Sequence, residues 1–301
     1  MMRETILVTG SSGLIGTAVC ADLERRGHVV RRFDIADQGG GYGDIRVPSA
    51  LGAALDGCTG VIHLAGVSRV IWGERDPAAC HATNVIGTRT VLACVRQSDL
   101  PPWVIFGSSR EVYGQSPTLP VTESAPLRPM NHYARSKVQA EHEVTRAREA
   151  GVRAAILRFS TVYGSALDHA DRVVPAFCQA ALRGQPLRID GETNSLDITH
   201  VTDVAACIAN VATRLSEGQS LAPMHLTTGQ ATPLIDLARR VIQIAQSPSE
   251  VVLAEPRNFD VASFVGDPRL AMAQVGWQPV TPLNAGLHAL LAQLRAANRA
   301  A

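Results

Sequence analysis

The stretch ETILVTGSSGLIGTAVCADLERRGHVVRRFD, residues 4–34, decides the fold. A short apolar run at residues 6–8 leads into a glycine-rich turn, and a second apolar run occupies residues 29–33. Between them, residues 14–25 place apolar side chains at three- and four-residue steps, which is typical of an amphipathic helix. Strand, helix and strand in this order predict a βαβ unit, the building block of a parallel sheet.

The same alternation continues outward along the first half of the chain. Further strands are predicted at residues 61–64, 104–107 and 154–157, and helices at residues 78–96 and 133–150. We therefore expect an α/β protein with a Rossmann-type, doubly wound parallel sheet.

The rhythm changes after about Gly164. Helices are predicted at residues 173–183 and 204–213 and short strands at residues 187–189 and 196–199, and Thr232 and Pro233 are expected to be the N-cap and first residue of another helix. This pattern predicts a smaller, mixed α/β C-terminal lobe that binds the substrate. We place the sheet domain at residues 1–164 and the lobe at residues 165–301, with a soft boundary and with parts of the two expected to interleave, because no linker separates them.

Composition narrows the classes of partner. The formal net charge is only +1, and the basic residues are spread along the chain. This distribution does not favour binding to nucleic acid or to an anionic membrane. No run approaches the roughly 18 apolar residues that a membrane span needs. The six cysteines form no Cys-x-x-Cys pair and no metal-ligand spacing, so no metal site is expected. We expect a cytoplasmic protein with a small-molecule substrate.

The turn Gly10-Ser11-Ser12-Gly13-Leu14-Ile15-Gly16 lies where a dinucleotide pyrophosphate would approach the backbone and the N-terminus of a helix. Its glycine spacing departs from the usual Gly-x-Gly-x-x-Gly fingerprint. Asp34 follows the next strand, where an acid accepts hydrogen bonds from ribose hydroxyls and repels a 2′-phosphate. Arg31 and Arg32 are the argument for NADP, but they point to opposite faces of the strand and do not follow the acid. The sequence favours NAD.

Two later segments carry the chemistry. Tyr133 and Lys137 share one helical face at i and i+4, and a neighbouring ammonium favours the phenolate form of a tyrosine. Hydride removal from a carbinol needs a group that takes its hydroxyl proton. Ser109, just beyond a strand, is placed to hold the same oxygen. These three residues are the predicted catalytic group.

Motifs spread over nearly the whole chain add a resemblance. They are the Gly10–Gly16 turn, Asp34, Asp44-Ile45, His63-Leu64-Ala65-Gly66, Asn84-Val85-Ile86-Gly87-Thr88, Ser108-Ser109-x-x-Val112-Tyr113-Gly114, Tyr133-x-x-x-Lys137, Arg158-Phe159-Ser160-Thr161-Val162-Tyr163-Gly164, Asp197-Ile198-x-His200-Val201-x-Asp203-Val204 and Gly276-Trp277-x-Pro279. In these motifs the chain resembles the extended short-chain dehydrogenase/reductases, in their NAD-dependent nucleotide-sugar epimerase/dehydratase branch.

The resemblance implies roles for individual residues. Ser109, Tyr133 and Lys137 take the catalytic places, and Lys137 also holds the nicotinamide ribose. The implied cofactor-binding residues are Gly10, Gly13, Leu14, Ile15, Gly16, Asp34, Asp44, Ile45, Leu64, Ala65, Gly66, Asn84, Tyr133 and Lys137. Asp44 and Ile45 would lie by the adenine. The candidate substrate-binding residues are Ser109, Arg110, Glu111, Thr161, Arg188 and Arg257.

The chain also departs from the family pattern. The family usually has an arginine that grips the substrate diphosphate where this chain has Leu196, and an asparagine where it has Thr161. Arg172, Arg188 and Arg257 are the candidates to supply the missing charge. Arg110 replaces the aspartate general acid of dehydratases, which argues against dehydration, whereas Glu111 matches an acid that dehydratases and decarboxylases carry.

The resemblance therefore favours a nucleotide-sugar epimerase, in the first place a 4-epimerase acting through a 4-keto intermediate on retained NAD. One alternative is a net dehydrogenase or ketoreductase of a sugar nucleotide or a free sugar acid, which Leu196 makes more credible. Another is a non-catalytic dinucleotide sensor, which would need neither Tyr133 nor Lys137. As in relatives, the helices at residues 78–96 and 133–150 are expected to pair with their copies in a homodimer.

Overall fold

A six-stranded, wholly parallel sheet forms the centre of the computed structural model, which describes residues 3–37 and 39–300. Its strands are β1 (Thr5–Thr9), β2 (Val29–Phe33), β3 (Gly60–His63), β4 (Trp103–Ser109), β5 (Ala154–Phe159) and β10 (Met224–Leu226). They lie side by side in the order β10-β5-β4-β3-β1-β2. The chain leaves β1 toward β2 on one side and returns to β3 on the other, so the strand order reverses at β1. The predicted doubly wound parallel sheet is confirmed.

Helices cover both faces of this sheet. They are α1 (Leu14–Arg25), α2 (Pro48–Leu55), α3 (Val70–Arg75), α4 (Pro77–His81), α5 (Thr88–Gln97), α6 (His132–Glu149) and α8 (Val201–Ser216). Alternate residues of a strand face opposite sides, so Ile6 and Val8 pack with α1 and α8 while Leu7 packs with α2, α5 and α6. The predicted helix at residues 78–96 is present as α4, a π-helical stretch at Ala82–Gly87, and α5.

The remaining elements form the smaller mixed lobe. They are β6 (Thr161–Tyr163), α7 (Val173–Leu182), β7 (Leu187–Asp190), β8 (Ser195–Leu196), β9 (Ile198–His200), β11 (Thr232–Pro233), α9 (Leu234–Ala245), β12 (Val251–Ala254), α10 (Arg269–Val275) and α11 (Leu283–Ala300). A separate apolar core joins α7, α9 and α11 to β7. Within the described residues, three two-stranded pairs connect the short strands: β12 with β7, β6 with β9, and β11 with β8.

Elements from beyond residue 164 also contribute to the sheet layer: α8 packs against α1, and β10 supplies an edge strand beside β5. One feature differs from the sequence predictions. Thr232 and Pro233 do not start a helix: Pro233 has an extended backbone with ψ of 140°, Thr232 pairs with Leu196, and α9 begins at Leu234. The pairing with β8 outweighs the local preference of a Thr-Pro pair to start a helix.

Candidate active site

A cavity of about 820 Å³ lies along the carboxyl edge of the central sheet. The glycine turn after β1 lines one end, and the catalytic candidates after β4 and on α6 line the middle. Residues of the smaller lobe line the far side. Ligands of doubly wound sheets bind at this edge, where the strand order reverses, because loops and helix N-termini converge there.

The glycine turn packs tightly against neighbouring backbone, which only glycine permits. Gly10 has a φ of +73°, and a β-carbon there would lie 2.6 Å from the backbone nitrogen of Ala65. At Gly16 a β-carbon would lie 2.8 Å from the Cα of Ser11. Gly13 is the N-cap of α1 and no side chain caps that helix, so its first N–H groups remain for an anion. Leu14 and Ile15 line the same end of the cavity, whose form suits a dinucleotide pyrophosphate.

Asp34 is fixed beside this turn. Its Oδ2 accepts a hydrogen bond from the Ser12 N–H at 3.0 Å, and its Oδ1 accepts one from the Ala36 N–H at 2.8 Å. The two nearby arginines are directed elsewhere: Arg31 donates to the carbonyl of Ala54, and Arg32 pairs with Glu24 at 2.8 Å. Asp34 thus lines the same cavity as the glycine turn, and both arginines are engaged by other groups.

The predicted adenine contacts lie further along the cavity wall. Asp44 and Ile45 both line it, and the Arg46 guanidinium, 2.6 Å from Asp44, holds the pKa of that carboxyl below its usual range. The predicted contacts Leu64, Ala65 and Gly66, which follow β3, line the floor.

Asn84, another predicted cofactor contact, is hydrogen-bonded within the protein. It is buried behind the wall, where its side chain accepts from the Val67 N–H at 2.7 Å and donates to the Ser136 hydroxyl at 2.8 Å. Its amide is therefore used to fix the loop after Gly66 against α6, and among the described residues it does not line the cavity.

The structure brings the three catalytic candidates together. Ser109 is the last residue of β4, Tyr133 lies in the first turn of α6, and Lys137 lies one turn later; each is less than a tenth exposed. The Asn131 side chain caps α6 by accepting from the Ala134 N–H at 2.7 Å, which sets the first turn in place. Lys137 donates from Nζ to the carbonyl of Gly107 at 2.8 Å.

Electrostatics at Tyr133 differ from the sequence prediction. Burial raises the pKa of Tyr133 to about 12, although a hydrogen bond with Ser109 acts in the opposite direction. The ammonium of Lys137 lies 6.0 Å from the centre of the tyrosine ring and bonds to Gly107 instead, and burial lowers the pKa of Lys137 to about 8. Protein groups alone therefore keep the phenol protonated at neutral pH, because the cost of burying a phenolate outweighs its stabilisation by the neighbouring groups.

Arg110 and Glu111 form a mostly buried ion pair beside these residues. The Arg110 Nη2 lies 3.0 Å from the Glu111 Oε1, and Asn131 donates to the Glu111 Oε2 at 3.3 Å. The Arg110 Nη1 is buried and has no hydrogen-bond partner among the described residues. Thr161, at the start of β6, lines the same cavity as this pair. The three predicted substrate-binding residues therefore share one cavity with Tyr133 and Lys137.

The far wall of the cavity carries two arginines, and each is paired with a carboxylate of the same wall. Arg188 binds Asp190 through its Nε at 2.8 Å, and Arg257 lies 2.6 Å from Asp260. Leu196 also lines this wall, so the position presents an apolar side chain. The two predicted arginines thus lie on the same wall as Leu196, each already neutralised by an acid.

Sequence reasoning missed part of the wall. Asp168, His169 and Asp171, in the segment between β6 and α7, line the cavity, as does Arg69 before α3. Their only signal in the sequence was a cluster of charged residues after a strand end, with no periodicity.

Other kinds of site receive no support from the structure. Within residues 3–37 and 39–300, no group of three or more His, Cys, Asp or Glu side chains could hold a metal ion. The six cysteines are free and buried. None of the helices in the described part of the chain has the length and apolar character needed to cross a bilayer.

Comparison with known proteins places these features in context. Residues 6–224 match the model of the NAD dependent epimerase/dehydratase family. The chain is 28% identical to a UDP-glucose 4-epimerase of Rhizobium meliloti (strain 1021), over 93% of each chain. A UDP-glucose 4-epimerase of Thermus thermophilus, solved in complex with NAD, is similar with a TM-score of 0.88 and 27% identity, over 97% of this chain and 99% of that one.

A further similar structure is MoeE5, which was solved with NAD and UDP-glucose and also with NAD and UDP-glucuronic acid. In the UDP-glucose complex the TM-score is 0.90 and the identity 26%, over 98% of this chain and 99% of that one.

Proposed function

Because the chain belongs to the NAD-dependent epimerase/dehydratase family, we propose that it is a nucleotide-sugar 4-epimerase that acts through a 4-keto intermediate. Membership confirms the family resemblance and the use of NAD that the sequence predicted. The observation that carries the proposal is the meeting of Ser109, Tyr133 and Lys137 in one cavity with the glycine turn and Asp34.

The chain's own residues divide the binding of NAD between them. The backbone of the Gly10–Gly16 turn and the N-terminus of α1 would hold the pyrophosphate, Asp34 the adenosine ribose, and Lys137 the nicotinamide ribose. When bound, NAD supplies a hydride acceptor that also returns the hydride, and in its oxidised form a positive charge.

Ser109 and Tyr133 would act on the sugar oxygen. The Ser109 hydroxyl would hold the C4 oxygen. Tyr133 would act as a phenolate, which the positive charge of bound NAD favours, and would take the hydroxyl proton as the C–H bond breaks. It would give the proton back when the ketone is reduced from the other face. A phenol with a pKa of about 12 is a good proton donor to a forming alkoxide, which suits the second half of this cycle. Inversion at C4 leaves no net change in NAD.

One observation favours a second candidate function, net oxidation or reduction of a substrate that lacks a diphosphate. Leu196 places an apolar side chain on the far wall, and the neighbouring guanidiniums of Arg188 and Arg257 are paired with acids. A free sugar acid would not need a cation at this position.

We also propose that the protein works in the cytoplasm as a homodimer. Six buried free thiols suit a reducing compartment. The faces of α5 and α6 lie side by side and are joined at the surface by Arg89 and Glu143, 2.6 Å apart, which gives a two-helix surface for a copy. Light scattering after size exclusion would measure the mass; a monomer over a wide concentration range would contradict this.

The test of function is incubation of the protein with NAD and a panel of UDP-sugars and free sugar acids. An epimerase converts UDP-glucose to its C4 epimer, seen by NMR, with no net rise in absorbance at the NADH band. Steady accumulation of NADH with a free sugar acid would favour the second candidate. Absence of both reactions across the panel, with NAD bound, would contradict the proposal and favour a dinucleotide sensor.

A further inference from the structure

The first turn of α6, which carries Tyr133, is held by side chains on both sides of the tyrosine. The Glu74 carboxylate accepts a hydrogen bond from the His132 N–H at 2.7 Å, and the Asn131 Oδ1 accepts one from the Ala134 N–H at 2.7 Å. These bonds satisfy N–H groups that have no partner within the helix. The backbone around the catalytic phenol therefore has a defined position.

Asn131 does more than cap this helix. The residue is 1% exposed, and its Nδ2 donates to the Glu111 Oε2 at 3.3 Å and to the carbonyl of Phe259 at 3.1 Å. Since the amide oxygen faces a donor and the amide nitrogen faces two acceptors, the contacts require this orientation of the amide. A cap needs only the oxygen, which serine, threonine or aspartate also supplies. The two outward bonds thus have another use.

Both partners of the amide nitrogen lead to the wall of the cavity. Glu111 lines the cavity, and its other oxygen lies 3.0 Å from the Arg110 Nη2. Phe259 directly precedes Asp260 and Val261, which line the cavity from the smaller lobe. One amide group therefore joins the catalytic helix to the Arg110–Glu111 pair and to a wall segment of the substrate side.

We propose that Asn131 is a positioning residue for Tyr133. Its amide N–H groups hold the first turn of α6 in a fixed relation to the Arg110–Glu111 pair and to the wall segment at residues 259–262, so that phenol and substrate meet in one geometry. This inference rests on the proposed function. Asn131 acts through its neighbours, and a small displacement of a catalytic group is enough to slow a reaction that depends on alignment.

The position of Glu111 also matters for the electrostatics of the phenol. Its charge acts on Tyr133 and raises the pKa of that hydroxyl, so the carboxylate is near the tyrosine. The charged and titratable groups next to Asn131 and its partners are Glu74, Arg110, Glu111, His132, Tyr133, Arg257 and Asp260.

Two substitutions separate capping from positioning. Asn131→Ser keeps a capping oxygen and removes both outward bonds. Asn131→Asp also keeps the oxygen, but it places a carboxylate against the carboxylate of Glu111 and the carbonyl of Phe259, which repel it. When the pH falls, the two neighbouring carboxylates can share a proton, which restores a donor at this position.

The experiment measures kcat, KM and NAD affinity with UDP-glucose, or with the panel sugar that the wild type turns over. The control is Asn298→Asp, which makes the same charge change at an exposed position on α11 and should behave as the wild type. At about pH 8 we expect kcat to fall about 10-fold in Asn131→Ser and about 100-fold in Asn131→Asp. NAD affinity should change by less than about threefold, because the helix cap is retained.

The pH profile is the second measurement. The deficit of Asn131→Asp in kcat should shrink by about tenfold between about pH 8 and 6, whereas that of Asn131→Ser should stay constant. A residue that only caps the helix would give neither deficit, since both variants keep the capping oxygen.

The outcomes separate this inference from the proposed function. Full kcat in both variants, or a loss of NAD binding in parallel with kcat, overturns the inference while the epimerase proposal stands. If the wild type turns over no sugar of the panel, the proposed function fails, and amide hydrogen exchange of the NAD-bound proteins decides the inference. Faster exchange at residues 257–262 in Asn131→Ser than in the wild type supports it, and unchanged exchange overturns it. If Asn131→Asp does not fold, Asn131→Ser alone gives the decision.

Discussion

At the scale of single residues, the hydroxyl of Tyr133 is the group on which turnover should depend. Tyr133→Phe removes the proton donor and acceptor while it keeps the ring, so we expect kcat to fall by about 100- to 10,000-fold. Binding of NAD, followed by titration, should change little because the phosphate and ribose contacts are elsewhere. Tyr42→Phe, at an exposed tyrosine, is the matched control. Full activity in Tyr133→Phe would refute the catalytic role.

Lys137 should leave a mark on the pH dependence of stability. Its pKa is about 8 in the folded chain and near 10.5 when unfolded, so between these values the unfolded chain binds more protons. The free energy of unfolding contributed by this residue therefore rises with pH from about 8 to 10.5. The test is urea unfolding of the wild type and Lys137→Met at about pH 7, 9 and 10. We expect the free energy of unfolding of the wild type to increase relative to that of the variant as the pH rises. A constant difference would contradict the shifted pKa.

At the scale of elements, the turn between β1 and α1 contains two glycines whose replacement should affect stability to different degrees. Gly10→Ala meets the Ala65 backbone at a positive φ and should destabilise the fold by about 1–3 kcal/mol. Gly13→Ala has only the Gly10 carbonyl at 3.4 Å and should change stability by less than about 1 kcal/mol.

Both variants should bind NAD more weakly. The Gly10 methyl would push the turn away from the Ala65 backbone, and the Gly13 methyl would lie at the N-terminus of α1, where the pyrophosphate is proposed to bind. Thermal melts and NAD titration measure the two effects separately. Unweakened NAD binding by Gly13→Ala would contradict the placement of the pyrophosphate at α1.

A buried ion pair joins β5 to α6, the helix that carries Tyr133 and Lys137. Arg158 of β5 lies 2.7 Å from Glu141 of α6, and Glu141 accepts from the Ser108 hydroxyl next to the catalytic serine. Arg158→Met leaves a buried carboxylate uncompensated, and we expect a loss of about 3–5 kcal/mol in urea unfolding. Arg214→Met, which breaks an exposed pair with Glu217, should cost less than about 1 kcal/mol. An equal loss in the free energy of unfolding in the two variants would contradict the structural role of Arg158.

At the scale of the whole molecule, the sheet depends on the second half of the chain. A fragment of residues 1–164 lacks β10 and α8, so it would expose the edge of β5 and the apolar face of α1. We expect this fragment to aggregate or show no cooperative melt, whereas the full chain should melt with its sheet and lobe coupled. A fragment with a sharp calorimetric transition and native-like circular dichroism would show that the halves are independent.

The sequence by itself determined the local features of this protein. The apolar period, the glycine turn and Asp34 are contiguous signals, and they predicted the parallel sheet and the use of NAD. Ser109, Tyr133 and Lys137 were predicted because their spacing on one strand end and one helix face is local. Such signals are readable because backbone geometry and steric demand act within a few residues.

Only the tertiary structure decided which distant segments meet. It placed β10 in the sheet and α8 against α1, kept Pro233 extended through pairing with β8, and buried Asn84 where its side chain fixes a loop. It also raised the pKa of Tyr133, since burial is a property of everything packed around the ring. Asp168, Trp72 and Tyr133 line one cavity for the same reason: long-range packing, which has no period in the sequence, sets the surroundings of a side chain.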